Sequence, residues 1–320
     1  MNGYRALKEG AGIGAIAPRR AIAVSGKDRA AYLQGLLTND IQALTAGTGC
    51  YAAWLTPQGR MITDLHVLES GDMMLLDVPE DQLQPTIERL EQFLFSEDVQ
   101  IADLSGALRT VWVHGPAASV VIQGVISSGL HLDVWRDYQN ARGGFNGSPI
   151  VIARIDQLGV PGFAIYVEAG REHDLQRALE AAGALYAGLE SIDAARIEAG
   201  YPIFGIDMTD DTIPLEAGIE DRAISLSNGC YVGQEVIIRV LHRGGGRVAK
   251  RLVGLRIEGD GMSAGEEIFA AGRKVGAVTS AAISPRLGAI ALGYVHRDFV
   301  APGTSVVVEG LAGEVIGRPM

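Results

Sequence analysis

Met61-Ile62-Thr63-Asp64-Leu65-His66-Val67-Leu68 reads as a strand, Gly71-Asp72 as a turn and Met73 to Val78 as a second strand. A helix follows, with Leu83, Ile87, Leu90 and Leu94 spaced four, three and four. A hairpin followed by a helix that covers one sheet face is a compact unit. Residues 149–183 repeat the order: strand Pro149 to Ile155, a turn near Gly159 to Gly162, strand Phe163 to Glu168, then a helix with Leu175, Ala178, Leu179 and Ala182 on one stripe. The repetition reads either as an internal duplication or as two uses of a common unit. With a strand at Ala21 to Ser25 and helices near Lys27 to Leu37, Ala117 to Val125 and Glu190 to Ala199, the class is α+β with mainly antiparallel sheets. Beyond Gly244, glycines punctuate short strands with no helical period, which predicts a small separate β-barrel or sandwich, and Gly244 to Gly246 reads as the hinge.

The 320 residues, 48% hydrophobic, can bury a large core divided among two or three domains. No apolar run reaches the length of a membrane span, and the first residues carry no secretory pattern, so a soluble cytoplasmic protein is expected, or a mitochondrial matrix protein in a eukaryote. The formal charge, 27 − 38 = −11, opposes direct nucleic-acid binding, which rests on releasing counterions from neutralised phosphates. Two cysteines cannot supply a four-thiolate cluster site, and His66, His114, His173, His242 and His296 lack metal-ligand spacing, so no metal site is assigned.

Four features could carry chemistry. Gly229-Cys230-Tyr231-Val232-Gly233-Gln234-Glu235 places a thiol beside glycines, where backbone can approach a ligand, although a free cysteine is as often a small buried hydrophobe. Arg239, Arg243, Arg247, Lys250, Arg251 and Arg256 follow without an intervening acid and read as an anion site or a solvated strand face. In Gly188 to Gly200, Arg196 and Glu198 lie about 200° apart around a helix. Asp193 therefore suits Arg196, and Glu198 is left either for a ligand, such as a 2-amino-pyrimidinone edge, or for solvent. After the turn Thr56-Pro57-Gln58-Gly59-Arg60, Asp64 alternates with Ile62 and His66 on the strand face opposite Thr63, Leu65 and Val67, a face that lines a cavity or meets water.

These segments, with Tyr32 to Asp40, His114-Gly115-Pro116 and Ser284-Pro285-Arg286-Leu287-Gly288, resemble the folate-binding YgfZ family. That family is related to the glycine cleavage T-protein, an aminomethyltransferase, and to mitochondrial iron–sulfur assembly factors. Its signature, Lys-Gly-Cys-Tyr-x-Gly-Gln-Glu, is matched at seven of eight positions, with Asn228 in place of the lysine. The resemblance implies three subdomains in a ring around a central channel: a folate-binding region over 1–240, with subdomains 1–105 and 106–240, and a C-terminal β-barrel over 245–320. It further implies a reduced folate, tetrahydrofolate, as cofactor. Glu198 would face the pteridine, Arg239 and Arg243 the glutamate tail, Tyr231 and Gln234 would complete the site, and Cys230 would be the functional thiol. The implied role is an accessory one in iron–sulfur cluster assembly or repair, and thereby in tRNA modification, with transient iron–sulfur client proteins. The T-protein carries paired aspartates where this chain has Thr63-Asp64. Threonine at the first of them cannot be the anionic group that steadies a developing cation, so classical aminomethyl transfer is not expected, and a tetrahydrofolate-dependent aminomethyltransferase or other one-carbon transferase using Asp64 is the alternative.

Overall fold

The structure is a computed structural model that describes residues 2–317 apart from 128, 228, 244 and 260. Among these residues the chain builds two sheets and a closed barrel. The first sheet runs Thr48–Leu55, Met61–Glu69, Met73–Pro79, Arg19–Ser25, Gln100–Asp103, all antiparallel. The second runs Asn140–Phe145, Ser148–Arg154, Gly162–Glu168, Leu108–His114, Gly12–Ile13, Leu185–Tyr186, antiparallel except for its last pair. In both, a strand and short helix lead into three successive strands and a closing helix, and the leading strand pairs beside the third. The duplicated hairpin-helix unit is therefore part of a longer duplicated topology.

Side-chain alternation explains how the halves assemble. In the first sheet Ile22, Val24, Leu65, Val67, Leu76 and Val78 face outward, beneath Leu83 and Leu90 of helix Leu83–Gln92. In the second, Val111, Val113, Ile165 and Val167 face Leu175 and Leu179 of helix Glu172–Ala181. The opposite faces meet each other: Ala21, Leu68 and Leu75 pack on Trp112, Ala153, Ala164 and Tyr166. Each sheet is thus covered by a helix on one side and by its twin on the other.

The barrel closes in the order Lys250–Ile257, Gly288–His296, Arg273–Ser284, Glu267–Ala270, Ser305–Val308, Leu311–Gly317 around its own apolar core. Helix Leu189–Ala199 joins it to the sheets. Arg196, almost fully buried, donates to Asp207 (2.8 Å), Asp193 (3.0 Å), Ser280 Oγ (3.0 Å) on the barrel and the Tyr201 carbonyl (3.1 Å).

Candidate active site

The inter-sheet face turns polar at one end. Along it Leu68 is followed by His66 and Asp64, Leu75 by Asp77, and Ala21 by Arg19, each step two residues along a strand and so on the same side. Arg19 Nη1 donates to Asp64 Oδ1 (3.2 Å) and Arg19 Nε to Asp77 Oδ2 (2.8 Å), while Tyr51 donates its hydroxyl to Asp64 Oδ2 (2.8 Å). Burial alone would lower the Arg19 pKa, but Asp64 and Asp77 outweigh it, so the guanidinium stays charged. Tyr51 is pushed well above its ordinary value by burial and by Asp64, which keeps it a donor. Burial, with the Arg19 cation, lowers His66 against the opposing pull of Asp77 and Asp64. The neutral ring donates from Nδ1 to Asp77 Oδ2 (2.8 Å).

This polar end opens into a chamber of about 20 Å³ lined by Arg19, Asp64, Trp112, Gln157, Tyr201 and Phe204. Thr63 has no part in it. It pairs with Trp54 and shares the parity of Leu65 and Val67, so it faces the apolar core beneath the helix. Ile16, Ala17, Arg19 and Trp112 also border an outer groove of about 390 Å³, whose wall includes Arg20, Arg109, Glu172, Gln176, Tyr186 and Leu189. Trp112 is backed by a stacked His114 (5.8 Å between ring centres, 6° between planes), whose pKa burial lowers to about 4. Arg222 lies over the Tyr201 ring at 4.4 Å and the Tyr51 ring at 5.4 Å.

The other sequence-derived candidates lie outside this cavity. The Glu198 carboxylate, 1% exposed, accepts from Tyr4 (2.6 Å), Ser284, Lys8 (3.2 Å) and Arg286 (3.5 Å). Burial raises its pKa, yet the bonds from Ser284 and Tyr4 and the Lys8 charge hold it below the ordinary carboxylate value. It borders a separate groove of about 660 Å³ at the junction of helix Asn2–Glu9, helix Leu189–Ala199 and the barrel. Its two oxygens thus meet four donors, which tie helix Asn2–Glu9 and the barrel to helix Leu189–Ala199.

Tyr231 is buried in the core, and Gln234 Nε2 donates to the Gly229 carbonyl (3.1 Å). Cys230 and Arg239 are exposed, while the Arg243 side chain, Asn228 and Gly244 lie outside the described residues. Gly233 has φ +85°, and a Cβ there would meet the Thr56 carbonyl at 2.5 Å; Gly59 has φ +75°, and its Cβ would meet Val236 at 2.8 Å. The motif around Cys230 is thus a loop docked on the Thr56–Arg60 turn through two glycines that no other residue can replace without strain. Replacing Cys230 with alanine is expected to change stability by no more than about 0.5 kcal/mol in denaturant unfolding, as for an exposed substitution away from buried partners. A loss above about 2 kcal/mol would show that the thiol helps to dock the loop. Cys50 is buried, and burial pushes its thiol up to about 12.

Among the described residues no group of three His, Cys, Asp or Glu is arranged to hold a metal ion, and no helix is long and apolar enough to cross a membrane.

Residues 2–227 match the GCVT N-terminal domain, and residues 250–318 the glycine cleavage T-protein C-terminal barrel domain. The chain belongs to the glycine cleavage T-protein family. It is 30% identical to the aminomethyltransferase of Rubrobacter xylanophilus over 297 residues, covering 92% of this chain and 78% of that one. Over 314 residues it is 28% identical to the aminomethyltransferase of Bacillus subtilis, covering 96% and 85%. The glycine cleavage aminomethyltransferase T of Bartonella henselae has the same fold, with a TM-score of 0.87 at 24% identity over 99% of this chain and 88% of that one.

These matches overturn the expected YgfZ-type role in iron–sulfur assembly and tRNA modification, because the relatives of this T-protein family chain are aminomethyltransferases. Nor does Thr63 count against an aminomethyltransferase. An acid at position 63 would point into the apolar core, so its absence takes nothing from the chamber.

Arg19, Tyr51, Asp77, Trp112 and Gln157 do not stand out in the sequence, whereas alternation already places His66 on the strand face of Asp64. The available signal was Asp77 inside the otherwise apolar strand Met73–Pro79, directly across the hairpin from His66.

Proposed function

We propose that the chain is a tetrahydrofolate-dependent aminomethyltransferase in which Asp64 is the catalytic carboxylate. Members of the family use tetrahydrofolate, and the two cavities suit a division of labour by size. The chamber, about 20 Å³, admits a single small group, whereas the groove, about 390 Å³, falls in the range of small-molecule sites. The one-carbon unit therefore belongs in the chamber and the bicyclic pterin in the groove. There Trp112 offers a flat wall, Glu172 and Gln176, one helical turn apart, offer acceptors for a 2-amino-pyrimidinone edge, and Arg20 and Arg109 carry positive charge at the rim.

The folate supplies two nitrogens that receive the carbon as its bonds to the amine and to the carrier sulfur break, and the two folate N–H protons leave on the ammonia and the carrier thiol. A carbon losing an amine develops positive charge, and a preorganised carboxylate in a water-poor chamber stabilises that charge with little reorganisation. Asp64 meets this need. Arg19 and Tyr51 each occupy one of its oxygens, which leaves acceptor capacity on both. The buried, oriented carboxylate at the chamber wall is the observation that carries the proposal.

The test uses the purified protein with an aminomethyl-loaded lipoyl carrier protein and tetrahydrofolate. Folate-dependent release of ammonia, together with quenching of tryptophan fluorescence on titration with tetrahydrofolate, is expected. Ammonia release that is absent, or that proceeds equally without folate, would reject the proposal.

A further inference from the structure

Asp77 lies one strand behind Asp64, and the mechanism above does not use it, although it is fully buried among charged groups. We infer that Arg19 and Asp77, backed by His66, form a clamp that positions Asp64, making Asp77 a positioning residue for the one-carbon transfer. The reaction it serves is the proposed one; the geometry stands on strand register.

Asp77 sits on the strand between those carrying His66 and Ala21 and is the direct partner of both, and Arg19 is two residues from Ala21 on the same face. From there the guanidinium makes two bonds to residue 77: Nε to the carboxylate (2.8 Å) and Nη2 to the backbone carbonyl (2.6 Å). Two bonds to one residue fix the plane of a rigid fork. Its remaining nitrogen, Nη1, then lies 3.2 Å from Asp64 Oδ1. His66 Nδ1 donates to the same oxygen of Asp77, Oδ2, that Arg19 Nε reaches, and its ring is wedged against Tyr51, Trp112 and Tyr138, with ring centres 5.5 to 6.4 Å away.

A purely architectural role does not call for this chemistry. A buried ion pair is often no more stabilising than well-packed apolar residues of similar volume. The positions one step further along the same face are Ala21, Leu68 and Leu75, and the charges appear only where the face reaches the chamber. Arg19, Tyr51, His66 and Asp77 face Asp64 from its own sheet, and Tyr201, with Arg222 over its ring, faces it across the chamber.

The test compares wild type with Asp77→Asn and Arg19→Lys. Lysine keeps the charge and loses the fork. In steady-state turnover each variant is expected to lower kcat by about 10²-fold with KM near wild type, the signature of a misplaced catalytic group. Arg19→Lys should melt close to wild type and leave the fluorescence titration of tetrahydrofolate unchanged, so that the loss falls on the reacting carboxylate alone. The 13C resonance of the Asp64 carboxyl at neutral pH, assigned with Asp64→Asn, should move in both variants, a readout that needs no turnover.

An unmoved Asp64 resonance in both variants, or a kcat loss matched by an equal rise in KM, would overturn the clamp. A moved resonance in a protein whose wild type shows no folate-dependent transfer would support the clamp and reject the proposed reaction. Should Asp77→Asn fail to fold, Arg19→Lys, at the chamber edge, carries the same readouts.

Discussion

Asp64→Asn is expected to lower folate-dependent aminomethyl transfer by roughly 10²- to 10⁴-fold while the protein stays folded and still binds tetrahydrofolate. Asparagine matches aspartate in shape. Its carbonyl oxygen can still accept from Tyr51, and Arg19 keeps both bonds to residue 77, so the surrounding network survives. What disappears is the negative charge at the chamber wall. That charge is the only feature of the side chain that interacts more strongly with a cationic carbon than with the neutral or protonated amine before it, and only such differences accelerate a reaction. The loss should therefore fall on kcat, with the fluorescence titration of tetrahydrofolate little changed because the pterin sits in the outer groove. Thr63→Asp is the informative counterpart. It adds an acid at the neighbouring position but on the core-facing side, so it should cost stability and bring no activity. An active, stable Thr63→Asp variant paired with an inert response at position 64 would show that the wrong strand face had been assigned.

The contrast between positions 63 and 64 also marks how far the sequence could be read. Alternation along Met61 to Leu68 separated the faces correctly, and hairpin-helix periodicity located the two hairpins and their covering helices, but not strands Thr48–Leu55, Gln100–Asp103, Leu108–His114 or Asn140–Phe145. What alternation cannot say is which face meets the partner sheet, because the outward face is covered by a helix and both faces are buried. Thr63 therefore looked like a deleted catalytic acid when it is a core residue.

Glu198 shows a second kind of limit. A carboxylate on a helix two residues from a buried arginine looked free for a ligand. Its partners Tyr4, Lys8, Ser284 and Arg286 come from segments far away in the chain, and only the folded junction brings them together. The glycines around Cys230 carried a real signal, for backbone docking on the Thr56–Arg60 turn.

Arg196→Met is expected to be the most destabilising of the substitutions considered, by about 3–5 kcal/mol, the usual cost of stripping one partner from a buried ion pair. Methionine fills much of the volume but donates nothing, so Asp207, 1% exposed, keeps its charge without its cation. Hydrogen bonds to Asp207 from the Ile203 amide (3.0 Å), Ser280 Oγ (2.7 Å) and Thr279 Oγ1 (2.5 Å) remain, and they set the lower end of the range. Because Ser280 and Thr279 belong to the barrel and Arg196 to the helix that joins it to the sheets, the damage should concentrate at that junction. Denaturant unfolding followed separately by barrel and sheet probes should show the barrel releasing before the sheets by a wider margin than in the wild type. Glu198→Gln, at the neighbouring junction, keeps an oxygen for Tyr4 and Ser284 and should cost clearly less. A loss below about 1 kcal/mol in Arg196→Met, within the scatter of ordinary surface changes, would mean that apolar contacts such as Ile197 against Leu252, Ile290 and Leu292 hold the barrel in place unaided.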